Sequence, residues 1–288
     1  MGGFRRYLFQ RIGLIIPTAL AASVVVFLIL RVLPGDVALT ILSGSPHTAE
    51  MREALREELG LNDPLPVQYG KWLWSMLNGE FGGSSLETKE PIRAILARQF
   101  PVTLLLAGYT ILLSVIISVP LGIVSAVRRD RWPDTLIRLG TLGGLSLPGI
   151  WIALLVILIL LRVFRWSPPI IYSSPGGDLG NHLQMMVWPV LLLAWSYSSH
   201  LVRVTRSAMI EVLGKEFVTA ARSKGLPELR VILKYAFRNA FLPVLTMISL
   251  QIGTLLSGAL VLETIFGLPG IGRGIVPVSY THLRAHET

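Results

Sequence analysis

The side chains able to move a proton or hold an anion lie almost wholly outside the apolar stretches of this chain. Residues 12–30, 101–127, 139–161 and 239–262 contain no Asp, Glu, Lys or Arg, and 183–202 contains a single ionisable group, His200. Ion-coupled carriers need titratable groups inside their spans. His200 is the one candidate, near one end of its stretch, where a lone His is more often a packing or interface residue. No carboxylate pair, histidine cluster or Ser/His/Asp set falls within the apolar runs. Intramembrane hydrolysis and metal coordination are therefore unsupported. The chain has no cysteine, so it has neither a disulfide framework nor a thiolate metal site. Gly214-Lys215 is followed by Glu216 and lacks the upstream glycine of a phosphate-binding loop. What remains is a run built for contact rather than catalysis: EFVTAARSKG at 216–225, followed by Leu226-Pro227-Glu228. Its Ala220 and Ala221 let another surface come close to the backbone, and Arg222 and Lys224 set positive charge beside them.

The apolar stretches are the elements that must carry this run. Composition is 52% hydrophobic and 15% charged, with mean hydropathy +0.62; globular domains run near 25% charged. A bilayer core of about 30 Å needs about 20 apolar residues in a helix. Five stretches meet that length, and each must be helical because lipid offers the backbone no hydrogen-bond partner. The reading is an all-α polytopic membrane protein with five transmembrane helices, at about 12–32, 102–126, 136–162, 184–204 and 240–262. The first stretch is longer than the apolar part of a signal peptide and no small-x-small cleavage site follows it, so it reads as a retained helix.

Charge orients the bundle. Residues 1–11 carry Arg5, Arg6 and Arg11 and no acid, which places them in the cytoplasm by the positive-inside rule. An insert at 33–101 carries nine acids against six bases, counted from Asp36 to Arg98, and suits the periplasmic side. Within it, Thr48 can cap a helix over 49–59, with Gly60 as its left-handed stop and Pro64 just beyond. A second helix is expected over 65–78, with Trp72 and Trp74 as interface anchors. A short amphipathic helix is expected over 91–100. The short basic loop Arg128-Arg129-Asp130-Arg131 is cytoplasmic, and 163–182, rich in Pro, Gly and Ser, is an outer loop. Pro120 and Gly122 predict a kink in the second span. Gly143-Gly144 and Pro148-Gly149 in the third suit either close helix contact or a pore-lining bend, with nothing to choose between them.

The membrane core then spans 102–277 and includes a loop at 205–238. From 203 to 238 eight bases face three acids, a net of +5, which puts this loop in the cytoplasm. It is far longer than a connection requires. Residues 207–224 can continue as helix, Gly225 is a good residue for the position after a helix end, and Pro227 stops the helix from continuing. A second helix then runs from about Glu228 into the fifth span. Such a helix-turn-helix has three readings. The charges can serve topology alone, with the helices packing only on each other. A DNA-binding role lacks a recognition helix standing clear of the bilayer. A docking element for a cytoplasmic partner is the third.

EFVTAARSKG followed by RNAFLPV resembles the EAA loop of the permease subunits of bacterial ABC importers, most closely the dipeptide, oligopeptide and nickel branch. Other stretches agree: Arg31-Val32-Leu33-Pro34-Gly35-Asp36, Glu57-Glu58-Leu59-Gly60-Leu61, Leu145-Ser146-Leu147-Pro148, and ETIFGLPGIGR from Glu263 to Arg273. Together these motifs are specific, and they run to about Arg273. The resemblance implies a type I ABC importer permease fold, which has six spans in this family, and a location in the bacterial inner membrane. It implies that 216–225 is a coupling helix whose Glu216, Thr219, Ala220, Ala221, Lys224 and Gly225 contact an ATPase. Thr219 stands where the general motif has Glu, a departure compatible with the peptide branch. The implied partners are a second homologous permease, two ATP-binding subunits that hold ATP and Mg, an extracytoplasmic substrate-binding protein, and membrane lipid, with no nucleic acid. The chain itself would bind no cofactor. Its cargo would be peptides or related molecules such as nickel chelates. An ion-coupled secondary transporter is the competing class. After Arg273 the resemblance stops, and 278–288 reads as a non-native tail that ends SYTHLRAHET, with the sixth span of the family missing.

Overall fold

The computed structural model describes residues 2–32, 48–58, 60–81, 90–169 and 171–274. The expectations for 33–36, Leu59 and 278–288 lie outside these residues. The chain divides into two compact units between residues 96 and 97.

In the first unit, α1 (Gly2–Val32) contains the apolar segment Phe9–Ile29. Its residues are mostly exposed, as suits a helix whose neighbour is lipid, but Phe27 is buried. Phe27 packs edge-on against Tyr69, with ring centroids 5.4 Å apart, and 6.0 Å from Trp72, while the Ser23 hydroxyl lies 2.9 Å from the Tyr69 hydroxyl. Those two rings belong to α3 (Leu65–Leu77). Trp72 is thus part of an aromatic cluster, whereas Trp74 stays exposed. Before them, α2 (Ala49–Glu58) is capped as expected: the Met51 N–H donates to Thr48 Oγ1 at 3.3 Å. Gly60 follows with φ +63°, a conformation only glycine adopts without strain. The buried Gln68 side chain donates to the Leu61 and Asp63 carbonyls and ties the α2–α3 turn to α3.

The second unit is the helical bundle. The expected break near residue 101 is absent: α4 (Ile92–Val127) runs without interruption through both Pro101 and Pro120. Proline removes one backbone bond, and in an apolar helix neighbouring groups re-satisfy it. The small residues Thr110, Ser114, Ser118, Gly122 and Ser125 line one buried face of α4 at three- and four-residue intervals. They allow close approach of α7 (Leu179–Leu213). The Ser114 hydroxyl donates to the Ala194 carbonyl, and a methyl group at Gly122 would sit 2.6 Å from Thr205 Cβ.

The third stretch is not one straight helix over 136–162. It is α5 (Trp132–Ser146) and α6 (Gly149–Arg162), bent by 98°. Pro148 forces Leu147 out of the helical region, to φ −92° and ψ 131°. The two small pairs therefore separate. Pro148-Gly149 makes the bend. Gly143 and Gly144 make the close contact, against the Trp195 ring and Ser199 of α7, and Trp195 Nε1 donates to the Gly140 carbonyl at 3.3 Å.

Among the described residues, four helices are long and apolar enough to cross a membrane, and the bent pair supplies a fifth crossing if counted as one span. α7 is longer at both ends than the 184–204 expected, because Asp178 caps it by accepting from the Asn181 N–H and it stops only at Gly214. The last span starts at Glu228–Arg230, passes through a π-helical segment (Val231–Phe237) and continues as α9 (Arg238–Gly258). It breaks at Ala259 before the short α10 (Leu260–Ile265), rather than running evenly over 240–262. One apolar core joins α4, α6, α7, α9 and α10 through Leu106, Ala153, Met185, Leu255 and Leu262.

Candidate functional site: the helix-turn-helix layer

The basic loop folds as a short helix clamped under the bundle. α7 ends at Gly214, and Lys215, extended at φ −81° and ψ 147°, turns the chain into α8 (Glu216–Ser223). The expected continuous helix over 207–224 is thus two helices. Lys215 pairs with Glu211 at 3.0 Å across the break. Val218 and Ala221, three residues apart, are buried against Met209 and Val212 of α7, Ile232 and Ala236 of the π segment, and Ala126 of α4.

The opposite face is open. Glu216, Thr219, Ala220, Ser223 and Lys224 recur at helical spacing and are all exposed. Four of the six residues singled out in the sequence therefore share one outward face. Gly225 follows at the turn with φ +70° and nothing within 4 Å of the position of a β-carbon. Ala221 is the exception, because it points into the chain's own packing. Pro227 then caps the next helix, and Arg222 closes the turn with two hydrogen bonds to Glu228, at 2.7 and 3.3 Å. That pairing, hydrogen bond first and charge second, pushes the Arg222 guanidinium above its ordinary range, against the opposing effect of burial. The layer holds a handle against the bundle and presents a small, charged, exposed surface. It can transmit force, and it carries no group placed for bond chemistry.

A family model described as the binding-protein-dependent transport system inner membrane component matches residues 118–283, and its N-terminal companion matches residues 4–107. The chain belongs to this family. The match runs past Arg273, where the motifs visible in the sequence stop. A protein named as a peptide transport system permease, from Brucella abortus strain 2308, is 35% identical over 271 residues, covering 93% of this chain and 84% of its own length. A glutathione transport system permease protein from Salmonella typhimurium is 36% identical over 270 residues, covering 94% and 85%. The protein is thus a multi-pass membrane permease of the ABC importer class and a component of a transport system, not an enzyme.

Two polar clusters in this permease escaped the sequence reading. At the loop end of the bundle, Asp134 is fully buried. It accepts two hydrogen bonds from Arg206, at 2.8 and 2.7 Å, one from the Asp130 N–H at 3.0 Å, and one from the Ser125 hydroxyl. It fastens α4, α5 and α7 together just above α8. Arg206 had counted only as one of the loop's positive charges. The available hint was Asp134, an acid inside a basic segment at a helix start.

The second cluster explains ETIFGLPGIGR. Glu263, also fully buried, accepts from Thr103 Oγ1 at 2.6 Å and from the Arg273 N–H at 3.3 Å, while Thr103 Oγ1 accepts from the Ile271 N–H at 3.0 Å. Gly270 and Gly272 lie so close to the Glu263 carboxylate that any side chain at either would collide with it. His200, the one ionisable group read inside a span, is half-buried on α7 and belongs to neither cluster.

Proposed function

We propose that this permease forms half of the translocation pore of an ATP-driven importer of peptides. In this reading α8 seats in a cleft of an ATP-hydrolysing subunit. The observation that carries it is the two-sided character of α8. Val218 and Ala221 bind the helix to its own bundle, and the outward face of Glu216, Thr219, Ala220 and Lys224 is exposed, with no packing partner among the described residues. The Ala220 methyl and the open space around Gly225 leave room for a close-fitting surface. The names of the relatives, peptide and glutathione transport permeases, support a short peptide as cargo.

A substrate-loaded binding protein docks on the insert that contains α2 and α3. A second homologous permease completes the pore, and two ATP-binding subunits hold ATP and Mg. The protein sits in a bacterial inner membrane with its N-terminus in the cytoplasm, as Arg6, Arg11 and the basic loops favour. Closure of the ATPase pair moves α8, and through Met209, Val212 and the π segment it tilts α7 and α9 between two packings.

The test is Ala220→Arg, an exposed position where the substitution leaves the fold intact. It should abolish co-purification of the ATPase and ATP-dependent peptide uptake into vesicles while the permease stays at its normal level. Wild-type coupling in this variant overturns the docking role. Uptake driven by an ion gradient without ATP overturns the energy source and favours a secondary transporter.

A further inference from the structure

A cavity of about 430 Å³ opens between the end of α4, the second half of α5 and the last turns of α7. Its walls carry four guanidinium groups, from Arg129, Arg138, Arg203 and Arg206, against one lining carboxylate, Asp130. Two of the four are already committed: Arg206 to the buried Asp134 at 2.7 Å and Arg129 to Asp130 at 3.2 Å. Arg138 and Arg203 have no carboxylate partner among the described residues. Both side chains are exposed at the cavity, and two cations without a carboxylate partner on neighbouring helices form a paired donor set for an anion that spans them.

The lining is also graded. On α5, Arg138, Thr141, Leu142 and Leu145 share one face and run from the basic loop at 128–131 toward the apolar middle of the span. On α7, Arg203 and Arg206 sit near Val202 in the same wall. A cavity that is cationic at the loop end and apolar toward the membrane interior fits a phosphate with a hydrocarbon chain attached. Basic pockets between transmembrane helices hold anionic headgroups for this reason. We infer that this arginine cavity binds the phosphate headgroup of an anionic phospholipid, with Arg138 and Arg203 as its principal ligands. Leu142 and Leu145 contact the start of an acyl chain. On α7, Arg203 precedes Met209 and Val212, which grip α8, by about two turns. The site is independent of which cargo the permease carries.

The experiment uses the full transporter assembly in nanodiscs of mixed phosphatidylglycerol and phosphatidylcholine, with co-retained lipid counted by native mass spectrometry. The wild type should enrich phosphatidylglycerol, and Arg138→Gln with Arg203→Gln should lower that enrichment by about tenfold or more. Arg138→Lys with Arg203→Lys should restore most of it. Arg128→Gln, an exposed arginine of the same loop outside the cavity, should leave it unchanged. Equal enrichment in the double glutamine variant, or an equal loss in Arg128→Gln, overturns the site. A separate arm adds inorganic phosphate in millimolar amounts. Persistence of bound phosphatidylglycerol supports the lipid as the source of the anion, and its displacement by phosphate overturns that assignment.

Discussion

Replacing Asp134 by Leu should destabilise the permease far more than replacing Asp134 and Arg206 together. The Asp134 side chain is 1% exposed and its Arg206 partner 20% exposed. Deleting one member of a buried pair leaves the other charge uncompensated, at about 3–5 kcal/mol. Arg206 keeps a fifth of its surface and regains some hydration, so the lower end applies, about 3 kcal/mol, or over a hundredfold in the folded ratio. Asp134→Leu also strands the Asp130 N–H and the Ser125 hydroxyl, both of which now donate to the carboxylate. Asp134→Leu with Arg206→Met removes both charges and fills the space with apolar groups of similar size. The same two donors stay stranded, so its net cost should be what they impose, about 1–3 kcal/mol, and smaller than that of the single variant by the cost of the uncompensated Arg206 charge, because desolvation of the pair offsets most of its attraction. Unfolding free energies measured by denaturant titration in bicelles, read by loss of helical circular dichroism, would give the coupling from the cycle of four proteins. A single-variant cost under about 1 kcal/mol, or a double variant as unstable as the sum of the singles, would refute the reasoning.

The contrast between adjacent alanines is equally direct. Ala221→Arg should lower the amount of folded permease in the membrane, since it drives a charge into the cluster around Val218, whereas Ala220→Arg should affect only partner binding; immunoblotting of membrane fractions separates the two. Gly225→Ala should cost about 1 kcal/mol through its positive φ alone, because no neighbour is close enough to collide, and a small drop in unfolding midpoint would show it. Gly270→Ala should be worse by several-fold, since the methyl meets the Glu263 carboxylate, and the expected reading is loss of the monodisperse peak in size-exclusion chromatography.

Most of the architecture was legible because lipid removes the usual ambiguity: a long charge-free run can only be helix. The features hidden from the sequence are those decided between segments. The α5–α6 bend was signalled by Pro148, yet whether Gly143 and Gly144 bent the helix or packed it depended on Trp195 and Ser199, some fifty residues away. The α8 motif was visible as a string, but its division into an inner face at Val218 and Ala221 and an outer face at Thr219 and Ala220 required the partners in α7 and the π segment. Proline misled in the other direction. Pro101 looked like a boundary between a short helix and a span, and α4 absorbs it.

The link between Thr103 and Glu263 has a further consequence, for biosynthesis. The two residues are 160 positions apart. At about 5–20 residues per second, the ribosome adds Glu263 roughly 8–30 s after it has added Thr103. During that interval the Thr103 hydroxyl has only its own helix to bond, through a carbonyl one turn back. Even Glu263 is not sealed until Gly270, Gly272 and Arg273 have wrapped its carboxylate. The start of α4 therefore inserts early but locks late, once the ETIFGLPGIGR segment has left the ribosome.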